Sequence, residues 1–151
     1  MDYHNWLANI GVTVSTLLLV MTAVLIHYEG LSALNRWLTR IKAAQHRQLV
    51  LYTIGAVIAL HTLEIWLFGL GYHGLLQWSE MGEIQGARYS HVFDAIYFSA
   101  IVFTTVGFGD LSPVGPIRFL AGTEALTGLV LIGWSASFTY LEMQRYWSTR
   151  Q

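Results

Sequence analysis

Three long apolar stretches, almost free of charged side chains, constrain this sequence more than any other feature. They run from Tyr3 to Tyr28, from Gln48 to Leu70 and from Arg118 to Glu142. Each exceeds the roughly 20 residues needed to cross a hydrocarbon layer about 30 Å thick. Only 11% of all residues are charged, against about 25% in a typical soluble domain. The sequence therefore predicts a membrane protein with three transmembrane helices. A secretory signal is a weaker interpretation of the first stretch, because no Lys or Arg precedes it.

A fourth apolar piece, His91 to Phe103, is too short to span. About 13 residues at 1.5 Å each reach only about 20 Å. We expect a re-entrant helix, with Ser90 as its N-cap and Asp94 at the positive end of its dipole.

The distribution of basic residues predicts the orientation. Residues 30–47 contain four of the eight basic side chains and no acid, whereas residues 71–90 carry two acids and one arginine. By the positive-inside rule, residues 30–47 and the C-terminus are cytoplasmic, and the N-terminus and the re-entrant region face outward. The linker shows helical spacing of apolar residues, which favours an amphipathic helix in the headgroup layer or, equally, a simple basic connector.

The segment "TTVGFGD", Thr104 to Asp110, follows the short helix. Irregular backbone at membrane depth is tolerated only where it is buried in protein or lines a water-filled path. Gly107 and Gly109 can adopt positive φ, so alternate peptides can turn their carbonyl oxygens toward one axis.

With the residues that follow it, "TTVGFGDLSPVGPIRF" resembles the filter and outer mouth of the potassium channel pore family. The resemblance covers about residues 48–142. Together with the three apolar stretches it predicts an all-α membrane protein with three transmembrane helices per chain, and it implies a re-entrant pore helix and a filter loop, assembled as a homotetramer; the first helix and the linker lie outside the resemblance. The expected segments are an additional N-terminal helix (1–29), the linker (30–47), the pore domain (48–142) and a short cytoplasmic tail (143–151). Within the pore domain we expect an outer helix (48–70), an extracellular loop (71–90), a pore helix (91–103), the filter (104–110) and an inner helix (118–142).

The resemblance also implies roles for the motif. Carbonyl oxygens of Thr105, Val106, Gly107 and Phe108, with the Thr105 hydroxyl, would replace the hydration shell of K⁺. Thr104 would begin the filter, and Gly109 and Asp110 would form its outer mouth. The implied activity is passive K⁺ flux through a multi-pass protein of the plasma (inner) membrane, not enzymatic catalysis. The implied partners are three identical subunits and membrane lipids, with no nucleic acid and no organic cofactor.

Several other residues are candidates for supporting the filter. Phe108 stands where Tyr is commoner in the family, so a phenolic donor is missing, and Tyr97 and Phe98 would form the surrounding aromatic cuff. Ile101 replaces an acid that pairs behind the filter in some bacterial channels. Glu124, and also Glu64 with His61 on the same helix face, would support the filter from behind. A packing role for these acids is an equal alternative.

In the third span, Gly128 lies where the family's inner helix often bends, although a close-packing site is as good an interpretation. Leu129, Ile132 and Ala136 would line the cavity, with Tyr140 near the cytoplasmic constriction.

Other classes fit less well. Haem or quinone binding would use His27, His61, His73 or His91, but we expect only His61 well inside a span. A weakly selective cation channel is an alternative, although it would be expected to break the "VGFG" core. A fused potassium transporter would carry four such hairpins. The chain ends shortly after the third span, so we expect no soluble regulatory domain.

Overall fold

The computed structural model of the chain describes residues 6–40, 46–86 and 92–148, and it is mostly helical. Three helices are long and apolar enough to cross a membrane, which confirms the membrane prediction. The elements in chain order are α1 (Trp6–Arg40), α2 (His46–Leu75), a 3-10 turn (Ser79–Met81), β1 (Glu83–Gln85), α3 (Val92–Phe103), β2 (Ser112–Val114) and α4 (Arg118–Ser148).

The long helices continue past the boundaries expected from the sequence. α1 does not stop near residue 29 but runs to Arg40, so residues 30–40 of the expected linker extend the first helix, and α2 begins at His46 rather than residue 48. Gly30 lies inside α1 and allows α2 to pack closely: a Cβ there would lie 2.7 Å from Cδ1 of Leu60. α2 likewise ends at Leu75 rather than residue 70, and α4 at Ser148 rather than residue 142. The rest of the linker up to residue 45, the expected N-cap Ser90 and His91 lie outside the described residues.

A small antiparallel sheet corrects the all-α expectation. β1 and β2 pair with Glu83 opposite Val114 and Gln85 opposite Ser112. The sheet therefore joins the segment before α3 to the segment after the TTVGFGD motif. Gly86 has a φ of 93°, and a Cβ there would overlap the carbonyl oxygen of Asp110. The two segments approach so closely because glycine stands at this position.

The core surrounds the short helix α3, which packs between α2 and α4. Its members are mostly aromatic and aliphatic side chains from these three helices, among them Phe68, Tyr72, Phe98, Phe103, Leu120 and Leu131. α1 lies against α2 and α4. Its outer face exposes large apolar residues, including Leu17, Leu18 and Leu25, as expected of a helix that faces lipid.

Candidate functional site

The TTVGFGD motif turns back beside the C-terminal end of α3. The amide of Thr105 donates to the carbonyl oxygen of Val102 at 2.9 Å, and the amide of Gly107 donates to that of Ile101 at 3.1 Å. The last turn of α3 therefore fixes where the motif begins. All seven residues of the motif are exposed on the single chain, with Val106 at 56% and Phe108 at 70%.

Every second residue of the motif has a left-handed backbone. The φ angles are 59° at Thr105, 51° at Gly107 and 84° at Gly109. In an ordinary extended chain, successive carbonyl groups point to opposite sides. Alternating the hand of the backbone instead allows successive carbonyl oxygens to face one side. The glycines were expected to supply this freedom, but Thr105 was not, because a β-branched residue rarely adopts positive φ.

The phenol of Tyr97 forms a hydrogen bond with Asp110, the last residue of the motif. The Tyr97 hydroxyl donates to Oδ2 of Asp110 at 2.9 Å. This hydrogen bond raises the pKa of the Tyr97 phenol above its usual value, so the phenol remains a donor. Phe98, the other member of the expected cuff, lies in the core on the α2 side, where its ring meets Tyr72 edge-on at 5.0 Å between centroids.

The side chain of Glu124 connects α2, α3 and α4 through hydrogen bonds. It is fully buried in α4 and accepts hydrogen bonds from the hydroxyl of Tyr72 at 2.6 Å and from that of Ser99 at 2.5 Å. Tyr72 belongs to α2 and Ser99 to α3. Of these partners, Ser99 lies on the helix that directly precedes the TTVGFGD motif. Ile101, buried on the same short helix, forms part of the apolar core.

Glu64 forms the centre of a second polar cluster. Its Oε2 lies 2.8 Å from Nδ1 of His61, the contact expected from their spacing, and its Oε1 lies 2.8 Å from Nδ1 of His27 on α1. The sequence did not reveal the His27 contact, because nothing in it shows which face of α1 meets α2. The ring of His61 lies 5.8 Å from that of Phe103, at the end of α3.

The position of His27 also corrects the reasoning about haem. We expected His27 and His61 at different depths, yet their rings stack at 5.4 Å between centroids, with 28° between their planes. Both Nδ1 atoms face Glu64 rather than each other, so this arrangement is not that of two axial ligands on either side of an iron. His73 lies in the last turn of α2, and His91 lies outside the described residues.

The remaining candidate residues, those predicted for the cavity and gate, all lie on α4. Gly128 is buried against the end of α3, where a Cβ would overlap the carbonyl oxygen of Phe103. This contact favours the close-packing interpretation over the bend, and α4 is continuous through Gly128. Leu129, Ile132, Ala136 and Tyr140 are exposed on the single chain. The last three line a groove of about 370 Å³ between α2 and α4, together with His61 and Ser135.

Comparison with known proteins identifies the family. The model of the ion channel family matches residues 49–144, more than half of the chain. The chain is 44% identical over 52 residues to two-pore potassium channel 1 of Arabidopsis thaliana, a match that covers 34% of this chain and 14% of the plant protein. It is 36% identical over 63 residues to the inward rectifier potassium channel Kirbac3.1 of Paramagnetospirillum magnetotacticum, covering 41% and 21% of the two chains.

A third relative is protein LctB of Geobacillus stearothermophilus, 41% identical over 46 residues that cover 30% of this chain and 34% of that protein. The matches therefore span about a third or less of the length of these relatives. No solved structure matches the chain significantly. The family match confirms the resemblance drawn from the TTVGFGD motif: this chain belongs to the ion channel family, and potassium channels are among its relatives.

Proposed function

We propose that this chain is one subunit of a homotetrameric, potassium-selective channel in which residues 104–110 form the filter. The observation that carries the proposal is the left-handed backbone at Thr105, Gly107 and Gly109, within a motif that is fully exposed on the single chain. Carbonyl oxygens presented on one side of a chain can replace ion hydration only when several chains surround a common axis. Rotational symmetry of four copies supplies that axis.

The short helix α3 would act as the pore helix. Its C-terminal end lies directly before the filter. The negative end of a helix dipole stabilises a cation placed near it. The outer ends of α2 and α4 and the small sheet would then face outward, and the C-terminus would be cytoplasmic, in agreement with the positions of the basic residues.

The exposed face of α4 would line the water-filled cavity below the filter. Ile132, Ala136 and Tyr140 are exposed on the single chain, and a second copy of α4 across the axis would leave them facing water. Permeation would be passive, driven by the electrochemical gradient.

Flux from reconstituted vesicles tests this function. Protein in liposomes with a K⁺ gradient should give a flux that Ba²⁺ blocks, whereas a Na⁺ gradient should give little flux. Equal K⁺ and Na⁺ fluxes would instead establish a weakly selective cation channel.

A pair of glycine variants connects the flux to the motif. A Cβ at Gly107 or at Gly55 would meet no atom within 4 Å, but only Gly107 has positive φ. Gly107→Ala should therefore abolish selective flux, while Gly55→Ala should conduct normally. Normal selectivity in Gly107→Ala would contradict the assignment of the filter.

A further inference from the structure

His27, Glu64 and His61 bring three metal-ligating side chains from two helices to one buried point. Their ligand atoms all lie within 4.8 Å of one another. His27 and Glu64 are fully buried, and His61 is 16% exposed. We propose that these three residues bind a divalent transition-metal ion of the Zn²⁺ class, which fastens α1 to α2. The site lies within one chain and does not depend on the proposed function.

The donor set suits such an ion. Two imidazoles and one carboxylate are ligands that Zn²⁺ accepts in open, three-residue sites, where a water or another small ligand fills the fourth position. Hard cations such as Mg²⁺ prefer oxygen ligands and retain water, so two imidazoles disfavour them. The Glu64 carboxylate is fully buried in an apolar region, and a divalent cation bound to it would more than neutralise its negative charge.

The spacing of the donors also fits. Around a tetrahedral ion with bonds of about 2.0–2.1 Å, neighbouring donor atoms are about 3.4 Å apart. In the structure each Nδ1 lies 2.8 Å from a Glu64 oxygen, and no two of the three ligand atoms are more than 4.8 Å apart. Small side-chain rotations would open the hydrogen-bonded distances to the separation that an ion needs.

His27 has the outer contact that a metal-bound histidine requires. Its Nε2 lies 3.4 Å from Oγ of Ser135 on α4. A histidine that binds a metal through one ring nitrogen usually donates a hydrogen bond through the other, which fixes its tautomer and orientation. With an ion at Nδ1, His27 would carry its proton at Nε2 and donate it to Ser135. The ion would in this way also orient α1 relative to α4.

The groove between α2 and α4 offers an entry path. It has a volume of about 370 Å³, and His61 and Ser135 form part of its wall. His61 is the one partly exposed ligand of the three. The site therefore has the parts expected of a metal site: suitable ligands, fitting distances, an outer partner and access.

Co²⁺ and Zn²⁺ binding to the purified full chain in detergent test the proposal. Co²⁺ bound by two nitrogens and an oxygen absorbs visible light, so titration should give absorption bands that saturate at one ion per chain and disappear when Zn²⁺ is added. Zn²⁺ should also raise the midpoint of thermal unfolding, because it binds only the folded chain. A wild-type chain that gives no visible bands, or binds no Zn²⁺ by equilibrium dialysis, would overturn the proposal without any variant.

Variants then locate the ion. His61→Gln and His27→Gln should each weaken Zn²⁺ binding by at least about tenfold, and Ser135→Ala by about tenfold. The matched control is His73→Gln, a histidine of α2 outside the cluster, which should bind as wild type does. If His27→Gln does not fold, the His61→Gln variant still tests the site, because His61 is partly exposed. Unchanged binding in His61→Gln, or equal loss in His73→Gln, would show that the ion binds elsewhere and would refute the site.

Discussion

At the residue scale, the hydrogen bond between Tyr97 and Asp110 connects the last residue of the TTVGFGD motif, the proposed filter, to α3. It is 2.9 Å long and solvent-exposed. Asp110 directly follows Gly109, whose φ of 84° is available mainly to glycine. This contact stands next to a glycine with positive φ, and the stability of the proposed filter should depend on it.

Removing the Tyr97 hydroxyl should destabilise the conducting filter. We expect Tyr97→Phe to speed inactivation, because the motif loses its hydrogen bond between Asp110 and α3. Recordings of current decay under a steady K⁺ gradient measure it. Tyr52→Phe, a change at an exposed position of α2, is the control and should leave decay unchanged. Equal decay in Tyr97→Phe and wild type would show that the Asp110 contact does not support the filter.

Adding a hydroxyl at the centre of the motif should have the opposite effect. Phe108 lacks the phenolic donor that Tyr would supply, so Phe108→Tyr should slow inactivation by offering the filter another hydrogen bond. Phe119→Tyr adds the same group at an exposed position of α4 and should change nothing. Inactivation as fast in Phe108→Tyr as in wild type would count against a role for the missing donor.

Some features of the motif could be predicted from residue types and others could not. Positive φ at Gly107 and Gly109 could be predicted, because glycine lacks a Cβ. Thr105 does not, since a β-branched residue in this region costs about 1–3 kcal/mol and is held there only by its surroundings. The partners of Asp110 and Glu124 also depend on how helices face each other, which residue types alone do not specify.

At the scale of elements, α3 and α4 approach each other closely at Gly128. Because a Cβ there would overlap the carbonyl oxygen of Phe103, Gly128→Ala should force the helices apart and destabilise the fold by about 1–3 kcal/mol. Gly133→Ala is the matched control on the same helix, with no atom within 4 Å of its Cβ. Thermal unfolding midpoints compare the two. A hinge role predicts altered gating without this loss of stability.

Glu124 joins α2, α3 and α4, so its carboxylate should affect the filter through α3. Glu124→Gln replaces an acceptor of two hydroxyl hydrogen bonds with an amide that can accept only through one oxygen. We expect a lower open probability and a stability loss of about 1 kcal/mol. Glu80→Gln, at an exposed position before β1, is the control. Unchanged single-channel open probability in Glu124→Gln would leave the acid with a packing role only.

The presence of the helices was predictable, but their ends and the sheet were not. Uninterrupted apolar stretches predict spans because length and polarity alone decide whether a helix crosses lipid. Gly30 illustrates that residue types alone do not set the helix ends, since it lies inside α1 with Leu60 packed against it. β1 and β2 are three residues each, and such short strands form only because α2, α3 and α4 bring them together.

At the scale of the whole molecule, α1 is joined to the rest of the chain by its packing on α2 and α4 and by His27. Apolar spacing alone could not predict this contact, since α1 is apolar on nearly all sides. The motif is exposed on the single chain, and so is the face of α4 that carries Ile132, Ala136 and Tyr140. The faces of α1 suit lipid, whereas the exposed motif suits other copies of the same chain.

The most direct test of the account is an electron cryomicroscopy structure of the protein in lipid nanodiscs with K⁺. The account predicts four copies around one axis, with a row of ion densities between the carbonyl oxygens of residues 105–108. A monomer, a dimer, or a tetramer whose TTVGFGD segments face away from the axis would contradict it.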